Sequence, residues 1–424
     1  ARMIMMGLKF MGDVPFRRVL LAGIVTDERG DKMSKVKGNV VDPLDVISGA
    51  TLDALVQKAE AGGANEKARK YLTTSYPDGF AAYGADALRM TLLSYSPQSR
   101  RIALSLKRVE GYRNFANKLW NASRYALMKL EGSDVKATGH APQPKHLVNR
   151  WILSRLDAAL AGARTGIEDY RIDDASGALY HFVWDEFCDW YLELSKALLA
   201  SDDEQLLDET RRTLVHTIEV TLRALHPMMP FITEEIWQRV PKHATAKASV
   251  LASAYPEPNA DAVTDAEAER EMRALQAAIV GIRTIRAEHE ITWQKMVPVL
   301  LRSDDPDVRA LLARERNNVV ALGNVTLTIE SDGRDIPANS AVKVSDGVTV
   351  IVPLEGLVDK EKERERLSRE LKRVEKDLTV VTGKLKNASF VERAPKEVVA
   401  TERERQAELT DKREQLTRAL EKLG

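Results

Sequence analysis

The apolar positions of this 424-residue chain change their period several times along its length. Residues 1–11, ARMIMMGLKFM, are almost continuously apolar and read as a helix that opens without a cap, as though cut from within a larger domain. Residues 19–25, VLLAGIV, form a short β-branched run that predicts a strand, and Asp27-Glu28-Arg29-Gly30 supplies turn chemistry behind it. Asp42-Pro43 closes the loop that follows, because proline suits a first helical turn. Over residues 51–72 the pattern predicts two short helices broken at Ala61-Gly62-Gly63. After the Tyr76-Pro77-Asp78-Gly79 turn, residues 84–89, GADALR, open another helix, with Asp86 as its expected cap. Within residues 108–125, Tyr112, Phe115, Leu119 and Ala122 recur at helical spacing, with Arg113, Lys118 and Arg124 off that face.

Gly139-His140-Ala141-Pro142-Gln143-Pro144 has linker composition. Beyond it the pattern is helical to about residue 253. Helices are expected over 151–164, 181–199 and 206–225. Residues 226–237, HPMMPFITEEIW, then turn sharply and restart a helix. Trp184, Trp190 and Trp237 are assigned to the core, and His226 to the turn. One long helix is expected over 261–290. Alternating runs at 297–301, 325–329 and 342–352, the last around Ser345-Asp346-Gly347, predict strands of a small α/β or α+β module without chemistry of its own. Leu367, Leu371, Val374, Leu378, Val381 and Leu385 step by four and three, a heptad seam. Gly383 and residues 386–395, KNASFVERAP, interrupt it before Leu409, Leu416, Leu420 and Leu423. The seam fits an antiparallel hairpin, and equally a dimeric coiled coil.

Length alone points to about three domains. Sixty-three basic residues balance sixty-three acidic ones, so any nucleic-acid contact must come from local patches. Cys188 is the single cysteine; a disulfide within the chain and a cysteine-ligated zinc site are excluded, and Cys188 reads as a small buried hydrophobe. No apolar run reaches membrane-spanning length and no signal peptide opens the chain, so a cytoplasmic location is expected.

The densest candidate chemistry lies at residues 31–47, DKMSKVKGNVVDPLDVI. Lys32, Lys35 and Lys37 crowd a loop leaving the end of a strand, where ligands bind in open α/β sheets. Three like charges repel unless they share a polyanion; a unit pair about 4 Å apart is worth about 4 kcal/mol at an effective dielectric of about 20. Gly38-Asn39 permits a left-handed backbone. A solvated basic loop is the plain alternative.

Lys32-Met33-Ser34-Lys35 resembles the KMSKS signature of class I aminoacyl-tRNA synthetases, with Val36 where serine is usual. Residues 84–89 are similar to the family's GADALR segment, and residues 184–196 and 226–237 resemble its anticodon-binding helical bundle. Residues 386–405 resemble the tip of the C-terminal arm of the valyl-tRNA synthetase branch. The resemblance implies a multidomain, mainly α chain. Its expected parts are a Rossmann-type catalytic remnant (1–47), a helical stem-contact region (48–138), an anticodon-binding bundle (145–260), a small α/β junction module (261–355) and an antiparallel coiled-coil arm (356–424).

It further implies that the parent protein joins valine to tRNA(Val) through valyl-adenylate, using ATP with Mg2+ and no protein-bound zinc, as a monomer. Lys35 and Lys32 become the catalytic phosphate contacts, within an ATP-binding set of Lys32, Met33, Ser34 and Lys35. Arg113, Lys118, Arg124, Lys386 and Arg393 become candidate tRNA contacts. None of the seven histidines lies in the family's HIGH context, so this stretch alone is expected to bind tRNA without forming adenylate. The alternatives are a non-catalytic tRNA-binding protein and a coiled-coil scaffold.

Overall fold

The computed structural model describes residues 1–34, 37–95, 99–243, 245–258, 265–331, 335–357, 360–387 and 396–423. The described chain is mainly helical with two small sheets, and it divides into two units, Ala1–Glu269 and Arg270–Gly424.

In the first unit the strand expected over 19–25 is reduced to β1, Ile24–Thr26, which pairs in parallel with β2, Arg101–Ala103. A strand extends only as far as a partner satisfies its backbone, and β2 offers three residues; Val19, Leu20 and Leu21 stay exposed. Asp42 caps the helix Pro43–Ser48 by accepting from the Leu44 amide. The helices Leu52–Ala61 and Glu66–Ser75 flank the expected glycine break. They surround a core of Val46, Leu55, Leu72, Tyr76, Phe80 and Val109, in which the Tyr76 and Phe80 rings meet edge to face at 4.9 Å.

The long helices Leu106–Leu130, Leu147–Glu168 and Glu204–Leu225 carry the rest of this unit. Phe115, Leu119 and Ala122 are buried, as their spacing predicts. The helix expected over 181–199 is a π-helix, Phe182–Tyr191, continued by Leu192–Leu198. Its buried residues are Phe182, Val183, Phe187 and Tyr191. Trp237 is buried, whereas Trp184 and Trp190 are half-buried. Cys188 is also half-buried, and desolvation pushes its thiol up to about 12.

Asp86 does not cap its own helix, Ala85–Leu93, whose N-terminus lacks a side-chain cap. Its carboxylate instead accepts from the amides of Phe231 (3.2 Å) and Ile232 (2.7 Å), at the start of the helix Pro230–Trp237. Arg89 donates to the carbonyls of Pro227 (2.8 Å) and Met228 (3.2 Å). His226 Nδ1 lies 2.8 Å from Thr233 Oγ1. Free amides at a helix start donate to any carboxylate that tertiary packing delivers, so the GADALR segment caps the helix restarted by HPMMPFITEEIW.

In the second unit the sheet has the order β4-β3-β6-β5. β3 (Val297–Arg302) pairs in parallel with β4 (Val325–Glu330) and antiparallel with β6 (Val348–Pro353), which pairs antiparallel with β5 (Ser340–Ser345). The parallel pair requires a crossover, made by the helices Pro306–Arg314 and Arg316–Gly323, neither foreseen from the pattern. The helix expected over 261–290 spans Ala266–Glu288, and residues 261–264 lie outside the described ones.

The helices Lys360–Lys386 and Lys396–Leu423 pack antiparallel. Lys412 pairs with Glu370 at 2.9 Å, Gln406 donates to Thr382 at 3.0 Å, and Lys384 pairs with Glu402 at 2.7 Å. Val374 and Leu416 are buried between them, with Leu371, Leu409 and Leu420 alongside. The seam is therefore filled from within the chain over this span.

A lysine loop and its scaffold

The candidate loop leaves β1 at Thr26, and three consecutive turn residues fasten it to three different partners. Asp27, 2% exposed, accepts through Oδ1 from the amides of Asp31 (2.8 Å) and Arg29 (3.1 Å). Through Oδ2 it accepts from Asn39 Nδ2 at 2.8 Å. Glu28 Oε1 accepts from the Leu106 amide at 2.9 Å and so caps the helix Leu106–Leu130, whose own N-cap, Ser105, makes no side-chain bond. The Arg29 guanidinium lies over the Tyr71 ring at 4.9 Å.

Lys32 is exposed, Met33 packs against the hydrophobic core, and Ser34 is half-buried. The half-buried Met33 holds the loop down beside the exposed Lys32. Ser34 donates its amide to Asn39 Oδ1 at 2.9 Å, and its hydroxyl accepts from the Lys37 amide at 3.3 Å. Lys37 Nζ stands 4.0 Å from Asp31, an exposed pair of little energetic weight. Lys35 and Val36 lie outside the described residues.

At the loop exit Gly38 has φ 65°, and a Cβ there would meet Ala68 Cβ at 2.4 Å, so the chain needs glycine. Behind it opens a cavity of about 370 Å³ floored by Leu55, Leu72, Tyr76 and Phe80. Lys58 bridges Asp42 and Asp45 at its rim, and its hydrogen bond to Asp42 holds that carboxyl below the usual range.

Of the five candidate nucleic-acid contacts, Arg113, Lys118 and Arg124 share the helix Leu106–Leu130. Arg113 is half-buried, 5.5 Å over the Tyr83 ring and 3.7 Å from Glu110. Lys118 is held by Asp189 at 2.6 Å and lies 3.9 Å over Trp184; it is committed within the protein. Arg124 is exposed beside Trp120 and Met128. Lys386 is exposed at the end of the first arm helix. Arg393 lies outside the described residues, as do residues 388–395 of the interruption in the arm. Nothing in the local spacing of Asp27, Glu28 and Asn39 points to where their partners lie, whereas Asp86, expected from its position to cap a helix, caps a different one.

Three family models match the chain. Residues 1–105 match the model described as tRNA synthetases class I (I, L, M and V). Residues 149–301 match the anticodon-binding domain of tRNA ligase, and residues 359–424 the valyl tRNA synthetase tRNA binding arm. A valine--tRNA ligase from Xanthomonas euvesicatoria pv. vesicatoria is 42% identical over 424 residues, covering 98% of this chain and 43% of the relative. One from Legionella pneumophila strain Paris is 39% identical over 418 residues, covering 96% of this chain and 45% of the relative. The chain thus spans less than half the length of these curated relatives. A crystal structure of the ternary complex of Agrobacterium radiobacter K84 agnB2 LeuRS-tRNA-LeuAMS aligns with 61% of this chain and 27% of its own, at 19% identity and a TM-score of 0.38. With an arm model particular to valyl enzymes and identities of 39–42% along nearly its whole length, the chain belongs to the valyl-tRNA synthetase family of class I.

Proposed function

We propose that these 424 residues are the C-terminal portion of a valine–tRNA ligase, a protein that activates valine with magnesium ATP and transfers it to tRNA(Val). What supports this most is the pairing of an exposed Lys32 on a buttressed loop with relatives that carry that name along almost all of this chain. In the proposed reaction Lys32 and Lys35 hold the ATP phosphates, with Met33 and Ser34 completing the loop. Their ammonium groups offset the charge that gathers on pyrophosphate as the carboxylate of valine displaces it. Each preorganised donor of this kind is worth a factor of about 10²–10³ in rate.

Residues 1–47 supply that loop in this reading, 48–138 face the acceptor limb, 145–260 the anticodon limb, 261–355 join them to the arm, and 356–424 lie along the outer corner of the tRNA. Arg113, Arg124, Lys386 and Arg393 meet phosphates, a contact blind to sequence; Lys118 joins them by giving up Asp189. The protein works as a cytoplasmic monomer, and the 424 residues alone bind tRNA without forming adenylate.

Valine-dependent exchange of pyrophosphate into ATP tests the reading. Lys35→Ala in the full-length protein should depress exchange by about 10²-fold or more while tRNA affinity changes little. Equal losses in both would remove the phosphate role. A full-length protein without exchange would favour the non-catalytic RNA-binding alternative.

A further inference from the structure

We propose that Asn39, held by Asp27, is a positioning residue for the lysine loop: it ties the entry of the loop to its exit and so sets where the Lys32 ammonium stands. The inference rests on the proposed function, but Asn39 is assigned no part in that reading.

Asn39 is 6% exposed and Asp27 is 2% exposed, although they flank a loop that carries several lysines. Three hydrogen bonds hold the Asn39 amide inside the protein. Its Oδ1 accepts from the Ser34 amide at 2.9 Å, and its Nδ2 donates to the Lys32 carbonyl at 3.3 Å and to Asp27 Oδ2 at 2.8 Å. The amide therefore grips the backbone on both sides of Met33. Asp27 is in turn fixed by the amides of Arg29 and Asp31. The exit is anchored next door, where Gly38 presses against Ala68 of the helix Glu66–Ser75.

Lys32 and Lys37 repel one another, so the loop left to itself would spread. Only asparagine or glutamine brings an acceptor and two donors on one planar group, and glutamine is a methylene too long for this buried site. A solvent-facing turn would not need its amide buried and bonded three times in this way. A displacement of about 1 Å at a reacting centre can cost about 10²-fold in rate, which is the lever the clamp controls.

The test is valine-dependent ATP–pyrophosphate exchange by the full-length protein. With Asn39→Ala, kcat/KM for ATP should fall about 10²-fold, while KM for valine stays within about twofold. Asn39→Asp should behave similarly, since it sets two carboxylates against each other. The double variant Asp27→Asn with Asn39→Asp reverses donor and acceptor across that bond and should recover at least tenfold over either single change, a pattern that general damage to folding would not produce. In the 424-residue chain, hydrogen exchange at the Ser34 amide should accelerate in Asn39→Ala and be restored in the double variant.

The proposal is overturned if Asn39→Ala keeps its kcat/KM for ATP, if ATP and valine parameters fall together, or if the double variant is no better than the singles. Absence of exchange in the wild-type full-length protein would instead sink the proposed function. Protection of the Ser34 amide would still report whether the clamp exists.

Discussion

His216 lies within the helix Glu204–Leu225, where burial, with Arg223 and His140 adding to it, holds its imidazole down at about 4. In an unfolded chain the same group titrates near 6.5. Between those values the unfolded state binds the extra proton, so stability is complete above about pH 6.5 and is lost as pH falls toward 4, at up to about 1.4 kcal/mol per pH unit. Urea midpoints measured from pH 7 to 4.5 should fall less steeply for His216→Gln than for the wild type; parallel curves would show that His216 is not the sensitive group. At this scale little was legible in the sequence. Asp27-Glu28-Arg29 reads correctly as a turn, but the destinations of those side chains, Asn39, Leu106 and Tyr71, lie 12 to 78 positions away and leave no local trace.

Elements were easier to foresee than their partners. The glycine break, the Asp42-Pro43 helix start and the arm seam all form where the pattern places them, because each depends on neighbours within a turn or two of chain. β1 is shorter than its apolar run because a strand needs a second strand. The two crossover helices were missed because they are short, at nine and eight residues, and amphipathic periodicity needs a longer window to stand out. Asp86 is a correct residue type with the wrong helix assigned to it. Burial raises its pKa against the pull of the Ile232 and Phe231 amides, so the carboxylate is costly to bury unless those amides are there to meet it. Asp86→Ala leaves both amides without an acceptor and should destabilise the chain by about 1–3 kcal/mol in urea unfolding. Asp86→Asn, which keeps one acceptor, should recover about half of that; a loss below about 0.5 kcal/mol for the alanine variant would show that the latch carries no stability.

For the whole chain, a net charge of zero means that RNA affinity under the proposed function must come from local cationic surface, and the arm, with eighteen Lys and Arg against fourteen Asp and Glu over residues 360–424, is one stretch that can supply it. Deleting residues 360–424 should weaken binding to valine tRNA and flatten the dependence of log K on log salt, since fewer counterions are released. An unchanged slope would place the phosphate contacts elsewhere. Filling the seam within one hairpin leaves the arm free of any need for a second copy, so the mass of the 424-residue chain in solution should be that of a monomer. No described helix is long and apolar enough to cross a membrane.

The sequence by itself determined what short-range chemistry governs: the spacing of the longer helices, the positions of the breaks, the glycine at the loop exit and the order of the lysines. It also carried the family, because residue order along the chain is what relatives share. Only the tertiary structure decided which carboxylate caps which helix, that Lys118 is already paired, and that a buried asparagine ties the lysine loop shut. Those outcomes depend on which polar groups are brought together when water is excluded, and a buried donor or acceptor is satisfied by whatever the fold delivers, however distant in sequence.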